Sequence, residues 1–363
     1  RSAPARRTRR WAIVSDDAAA LTTRMHALWS LVGGGELDEA FHLRLLEAKE
    51  PALRAWGVRA AGNFRSRSAS IRAAVAQAAA GGSPDETLQA VIAAAKLFDA
   101  DAAVDVMLGG ARVADPILPN IVWQNLLGAL PRSPEYVLTR SAELATSASP
   151  GSSALLVPRV IDYLLDQGDA GTRVTVSFLK RELGRGDAQR SKVAYDSLAA
   201  IAEMLHAGEL AGPREAALDA LTPELTPLVA DSQEHPLKLP AASILSRKRN
   251  AAAVAYVRSL ALAPTAPTSA RAAALDAWIS SGDTTLVDSL DSLLSASATT
   301  DAARFRRHVF DALTRSNSAD VARRVLAVYP RLEDDLKPAA VELLTSRVAW
   351  SNQLLDAVAD GRV

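Results

Sequence analysis

The 363-residue chain has no cysteine. This excludes disulfides, thiolate metal sites, cysteine nucleophiles and covalent attachment of a c-type haem within the segment. It leaves the compartment open, because cysteine-free chains occur on both sides of a membrane. Net charge is lacking too. Lys and Arg total 41 and Asp and Glu total 41, so no global field draws the molecule onto nucleic acid or an anionic bilayer, and an electrostatic partner must be met locally. No apolar run reaches the length of about 18 residues that spans a membrane; the best stretch, AAAVAYVRSLALAP, is short and carries Arg258. Lysine is scarce beside arginine, which reflects base composition of the gene more simply than selection for bidentate anion recognition. The chain opens on Arg1 rather than methionine, as expected if a signal peptide has been removed or lies outside the segment.

Aromatic residues make up only 5% of the chain while apolar residues make up 49%, with alanine and leucine dominant and β-branched residues sparse. That balance favours helices packed closely through small side chains. The stretch RMHALWSLVGGGELDEAFHLRLL, residues 24–46, reads as two amphipathic segments broken by three glycines, and the pattern returns. In the last third, LPAASILSRKRNAAAVAYVRSL, ARAAALDAWISSGDTTLVDSLDSLL, FRRHVFDALTRSNSADVARRVLAVY and LKPAAVELLTSRVAWSNQLLDAV follow one another, with Leu245, Trp278, Leu313 and Leu344 at equivalent places, 33, 35 and 31 residues apart. Similar units start near Arg24, Arg54, Leu88 and Leu118. Such a period, with apolar residues at i, i+3, i+4 and i+7, predicts paired antiparallel helices that bury their stripes on neighbouring pairs.

The breaks have local causes. Gly33, Gly34 and Gly35 permit the left-handed backbone that ends a helix, while Asp38, Asp101, Asp283 and Asp320 stand where second helices should begin and can accept their free N–H groups. Ser83, Asp85 and Asp115 likewise precede helices, and Pro84 and Pro116 suit a first turn. A basic N-terminal segment over 1–16 precedes a helical array over 17–363, with irregular seams near 147–158, where SASPGSSALLVP is a loop by composition, and near 207–240, which holds five prolines. The helical pattern resumes after each seam, through a longer helix at AQRSKVAYDSLAAIAEMLHAG, so one continuous array is expected.

Few constellations point to chemistry. Ser177 and Lys180 have the serine and lysine spacing of penicillin-binding enzymes, but the accompanying Ser-Asp-Asn and Lys-Thr-Gly elements are missing. Asp99, Asp101 and Asp105 lack the glycine and distal glutamate of a calcium loop and read better as helix caps. His26, His42, His206, His235 and His308 show no zincin spacing, and the triple glycine lacks the lysine of a phosphate loop. No catalytic, cofactor-binding or metal residue is therefore assigned. Basic clusters occur at Arg1, Arg6, Arg7, Arg9 and Arg10, at Arg247, Lys248 and Arg249, and at Arg304, Arg306 and Arg307, but at different points of the repeat, which disfavours a shared nucleic-acid face. Trp29, Trp56, Trp123, Trp278 and Trp350 read as core, and for Trp123 the alternative reading is an edge presented to a groove.

The alternation resembles HEAT repeats, and RMHALWSLVGGGELDEAFHLRLLEAKEPALRAWGVRAAG, DPILPNIVWQNL and AAVELLTSRVAWSNQLLDAVADGRV resemble the repeat region of the large PVC-type exported proteins known as membrane-bound dehydrogenase or haem-binding proteins. The resemblance implies an all-α, right-handed α-α superhelix of HEAT/armadillo-like pairs, about ten in number. It implies a scaffold segment of a longer polypeptide, periplasmic or otherwise exported, without a cofactor of its own, while the residues themselves leave a cytoplasmic location open. Haem or a quinone cofactor would belong to flanking domains, a propeller before and a cytochrome segment after. The expected function is thus a non-catalytic scaffold for protein or interdomain contacts, its second helices lining a binding surface that includes His42, Arg44, Gln89, Asp105, Trp123 and Arg324. Two rivals are a nucleic-acid-binding repeat protein using Arg247, Lys248, Arg249, Arg304, Arg306 and Arg307, and an enzyme built around Ser177.

Overall fold

Helices form throughout the computed structural model, which describes residues 3–147, 155–184, 188–231, 235–294, 300–316 and 318–363 and shows no strand among them. Their contacts divide the chain into two compact units, Arg1–Asp166 and Gln167–Val363. The first holds α1 (Ala3–Ser15), α2 (Leu21–Val32), α3 (Glu39–Leu46), α4 (Pro51–Phe64), α5 (Ala69–Gly81), α6 (Pro84–Leu97), α7 (Ala100–Gly110), α8 (Leu118–Leu126), α9 (Pro134–Ala145) and α10 (Leu156–Asp166). The second holds α11 (Asp169–Leu183), α12 (Ala188–Ala207), α13 (Pro213–Ala217), α14 (Thr222–Ala230), α15 (Lys238–Arg247), α16 (Ala251–Leu262), α17 (Thr268–Ser280), α18 (Thr285–Asp288), α19 (Leu290–Leu294), α20 (Thr300–Leu313), α21 (Asp320–Val328), α22 (Lys337–Thr345) and α23 (Val348–Ala359).

Within each unit helices pack on the helix one pair away, and many also on their successor, giving two layers. In the first unit α2, α4, α6 and α8 form one layer and α3, α5, α7 and α9 the other. In the second, α12, α15, α17, α20 and α22 make up the first-helix layer, with α14, α16, α19, α21 and α23 behind it. This is the all-α helical-repeat packing expected from the period. Leu245, Trp278, Leu313 and Leu344 are all buried, each a large side chain filling the space between its own pair and the next. The α10 stripe of Leu156, Val157, Val160, Ile161, Leu164 and Leu165 shows the same helical spacing. Burying each such leucine contributes about 1.5–3 kcal/mol, which no pair obtains alone.

The helix starts follow from side-chain acceptors. Asp38 accepts from the Phe41 N–H at 3.2 Å, Asp115 from Ile117 and Leu118 at 2.8 and 3.1 Å, and Ser83 with Glu86 forms a capping box. For α7 the cap is Asp99, bonded to Ala102 at 3.0 Å, and Asp101 lies in the first turn. Asp320 is itself the first residue of α21. Of the three glycines only Gly35 takes a positive φ, 113°.

Two expected boundaries look different in three dimensions. The basic segment over 1–16 is not set apart from the array: it forms α1, packed on α2, with Val14 in the core and Trp11 stacked on Phe41 at 5.2 Å. Arg1 and the side chain of Arg6 lie outside the described residues, as do 148–154 of the first seam. The second seam is largely short helices, because Pro213 and Pro223 occupy first-turn positions where the missing N–H costs nothing.

Repeat-to-repeat polar ties reinforce the stack. Arg54 reaches Glu86 at 2.7 Å, Arg247 reaches Glu215 at 3.1 Å, and His308 meets Asp276 at 3.1 Å, each spanning 32 residues. A second device recurs in both units. Buried Arg24 donates to the Val14 carbonyl at 3.0 Å and buried Arg271 to the Ala261 carbonyl at 3.1 Å, each ten residues back at the end of the preceding helix, where a cation complements the dipole.

Small residues set the distance between layers and pairs. A Cβ built on Gly62 of α4 would lie 2.7 Å from the Cβ and 3.2 Å from the Cα of Ala93 in α6, whereas one on Gly81 meets nothing within 4 Å. Helix propensity favours alanine over glycine by about 1 kcal/mol, but overpacking against a backbone atom costs about 1–3 kcal/mol. Gly62→Ala is therefore expected to lower the urea midpoint and Gly81→Ala to hold or raise it; a Gly62→Ala protein as stable as the parent would contradict this close approach.

Candidate functional site

Three adjoining hollows lie in the second unit, beside α12, α15, α16 and α17. Helix α12 is long enough to set Tyr195, Ala199, Glu203 and His206 on one face at helical spacing. With Pro240 and Ser243 of α15, Ala273 and Asp276 of α17, and Arg315 in the turn after α20, they enclose about 390 Å³. His206, Ala207 and Arg315 also line an adjoining cavity of about 480 Å³, whose other walls include Arg247, Ser280, Asp283, Thr284, Ser316 and an apolar floor of Leu205, Ile279, Leu286 and Val287. Across the turn formed by Gly282, Asp283 and Thr284 lies a third hollow of about 420 Å³, bounded by Arg249 and Arg258. The first two hollows share His206, Ala207 and Arg315, the last two share Gly282, Asp283 and Thr284, and the three are taken together as one groove.

Asp276 organises the charges. It accepts from His308 and, in a very short contact, from Arg315. Burial pushes its pKa up, but the hydrogen bond to His308 and the charges of His308 and Arg315 more than offset this and hold it below the usual carboxylate value. The same hydrogen bond raises His308 above 6.5 against the effect of burial. His206 goes the other way: burial lowers it to about 4, despite the attraction of Asp276, so its ring is neutral at pH 7. Its Nε2 is buried and has no hydrogen-bond partner among the described residues. Asp283 is drawn into the protein by Trp278 Nε1 at 3.0 Å and by the Thr285 N–H at 3.0 Å.

The residues proposed from sequence for a binding surface are scattered rather than brought together. His42 must be corrected: it is 2% exposed, with Nε2 2.7 Å from the Gly57 carbonyl. Burial lowers its pKa, and it serves as a core hydrogen-bonding group. Arg44 is exposed and lines a separate small cavity in the first unit. Gln89 and Trp123 are half-buried. Asp105 is taken by Tyr136 at 3.0 Å and Arg140 at 2.8 Å, and Arg324 by Asp288 at 2.7 Å. The first hollow is walled by first helices α12, α15 and α17, whereas the third is walled by α16, a helix of the other layer.

Other assignments resolve similarly. Trp278 and Trp350 are buried as expected, but Trp29 is 44% exposed, beside His26 and Trp56 at 5.3 and 5.6 Å; the helical pattern placed it inside because it cannot distinguish a core stripe from a flanking position. Ser177 and Lys180 are exposed, and Lys180 pairs with Glu224 at 3.1 Å. Among the nucleic-acid candidates, Arg247 pairs with Glu215, Lys248 with Asp219 and buried Arg306 with Glu333. Asp276 escaped the sequence reading, although it precedes His308 by one period and sits two residues before Trp278; aligning polar as well as apolar positions of the units would have paired them.

No family model matches the chain, and no curated protein matches it. The grouping of Asp276, His308, Arg315 and His206 therefore rests on geometry alone.

A base whose folded pKa lies below its unfolded value costs stability as pH falls, because the unfolded chain takes the proton first. For His206, held near 4 in the fold, the cost between pH 7 and pH 5 is about 2 kcal/mol. Replacing it by asparagine should flatten the stability profile by about that amount over this interval, read as urea unfolding at successive pH values against the parent. Parallel profiles would mean that His206 titrates normally.

Proposed function

We propose that the chain is a non-catalytic helical-repeat scaffold whose second unit receives an extended polypeptide segment, of a partner protein or of a flanking domain, in the groove between α12 and the α20 turn. What supports this is the continuity of the groove: three hollows share residues in sequence, so a strand of polypeptide lies across several repeats at once. Asp276 is tied to His308 and Arg315 across one helix pair, an arrangement that fixes that part of the wall. A small-molecule catalyst instead requires a nucleophile and base converging on one enclosed point.

On the resemblance to HEAT-type regions of exported multidomain proteins, the partner is a flanking domain of the same polypeptide, held in fixed relation to others outside the cytoplasm. The absence of any membrane-crossing helix among the described residues is compatible with that placement. The reading frame around the segment checks this part directly: a propeller on one side and a Cys-x-x-Cys-His element on the other are expected, and their absence from a complete frame removes the dehydrogenase association.

Photo-crosslinking tests the groove itself. A benzoylphenylalanine placed at Ala273 or Ala199, both facing the first hollow, is expected to give one discrete polypeptide adduct in the native host. The same residue at exposed Ala80 on α5 is expected to give none. Equal adducts at Ala80 and Ala273 would show that the groove has no special role.

A further inference from the structure

The groove is not uniform in charge. Its α12 end carries Glu203 and Asp276, the latter paired with Arg315, which lines both this hollow and the next. Its other end gathers Arg247, Arg315, Arg249 and Arg258 around the turn of Gly282, Asp283 and Thr284. Arg249 adopts a left-handed backbone, φ 57°, and its guanidinium nitrogen lies 3.6 Å from where a Gly282 side chain would begin. It therefore leans over that turn. Arg249 and Arg258 are exposed, with no carboxylate in ion-pair contact among the described residues, although the charge of Arg258 helps hold Asp283 in its ionised form. Arg247 and Arg315 are each bound by a single carboxylate, Glu215 and Asp276, and a guanidinium has five donors in all. The carboxylate of Asp283 is engaged by Trp278 and Thr285. The cavity between Arg247 and Arg315 thus combines unfilled cationic donors, the hydroxyl groups of Ser280 and Thr284, and an apolar floor of Ile279, Leu286 and Val287.

We propose that this end of the groove recognises an acidic peptide segment, with one carboxylate side chain seated between Arg247 and Arg315, a neighbouring apolar side chain on the Leu286 floor, and a second carboxylate against Arg249 and Arg258. The inference rests on the groove being a protein-docking surface and names the chemistry of what docks. Two features favour a carboxylate peptide over a nucleic acid. Glu203, Asp276 and Asp283 line the same groove and repel a continuous phosphodiester backbone. The groove also presents no row of aromatic faces on which bases would stack. The same carboxylates disfavour a doubly charged phosphate relative to a singly charged carboxylate.

Fluorescence anisotropy on the full chain tests this with four probes: a short labelled peptide of alternating Glu and Leu, its Gln counterpart, its phosphoserine counterpart, and an oligothymidine. The Glu peptide is expected to bind at least about tenfold more tightly than the Gln peptide, with the oligothymidine and phosphopeptide weaker than the Glu peptide. The double substitution Arg249→Ser and Arg258→Ser, which breaks no ion pair, is expected to weaken the Glu peptide about tenfold, and Arg315→Gln by a similar factor. An unchanged circular dichroism melt of the first variant shows that the fold is intact. Equal affinity for Glu and Gln peptides, no binding, tighter binding of either phosphate probe, or indifference to the double substitution each overturns the proposal. If Ala273 still crosslinks to a protein while the Glu peptide shows no preference, only the acidic chemistry falls and the docking surface stands; if crosslinking fails as well, both fall.

Discussion

Everything in this molecule depends on the inability of a single helix pair to bury its own apolar stripe. A leucine at an equivalent point of each unit is covered only when the next pair arrives, and the alanine-rich and glycine-containing surfaces let that pair come close. Gly62 against Ala93 marks how close: no methyl group fits between the two helices. Close packing then makes the polar ties possible, since Arg54 and Glu86, Arg247 and Glu215, and His308 and Asp276 meet across one period. These ties contribute little each where they are exposed to solvent; their effect is to fix the register between neighbours.

The groove in the second unit is a product of the same constraint. The long helix α12 lies against both α15 and α17, so its exposed edge is left facing the starts of later helices. The wall so formed carries whatever residues the repeats happen to place there, and in this chain they are Asp276, Arg315, His206 and Arg247. Asp276 holds two cationic partners while His206, buried close by, stays neutral. Opposite pKa displacements within one wall follow from one carboxylate being satisfied and one imidazole being desolvated.

Most of the architecture was legible in the amino-acid order, because hydrophobic periodicity depends on residues that face inward and the inward face repeats. Leu245, Trp278, Leu313 and Leu344 are buried as their spacing required, and Ser83 and Asp38 cap the helices that they precede. The candidate site was far less legible. His42 carries a polar ring that hydrophobicity places outside, yet the Gly57 carbonyl satisfies it inside. Trp29 carries a large ring that hydrophobicity places inside, yet it lies on the flank of its stripe. The layer that carries the groove depends on helix length and on the short helices between α12 and α15, properties that a local pattern does not encode.

The ten-residue reach of Arg24 and Arg271 back to the preceding helix, and the 32-residue reach of the ion pairs, have an evolutionary corollary. A gain or loss of one entire helix pair keeps the apolar stripes of the remaining pairs in phase with one another. Inserting a single residue inside a helix instead turns the following side chains by about 100°, which parts donor from carbonyl and leucine from core together. Change in such a chain is therefore quantised: whole units can be copied or dropped, while sliding by fractions of a unit is closed to it.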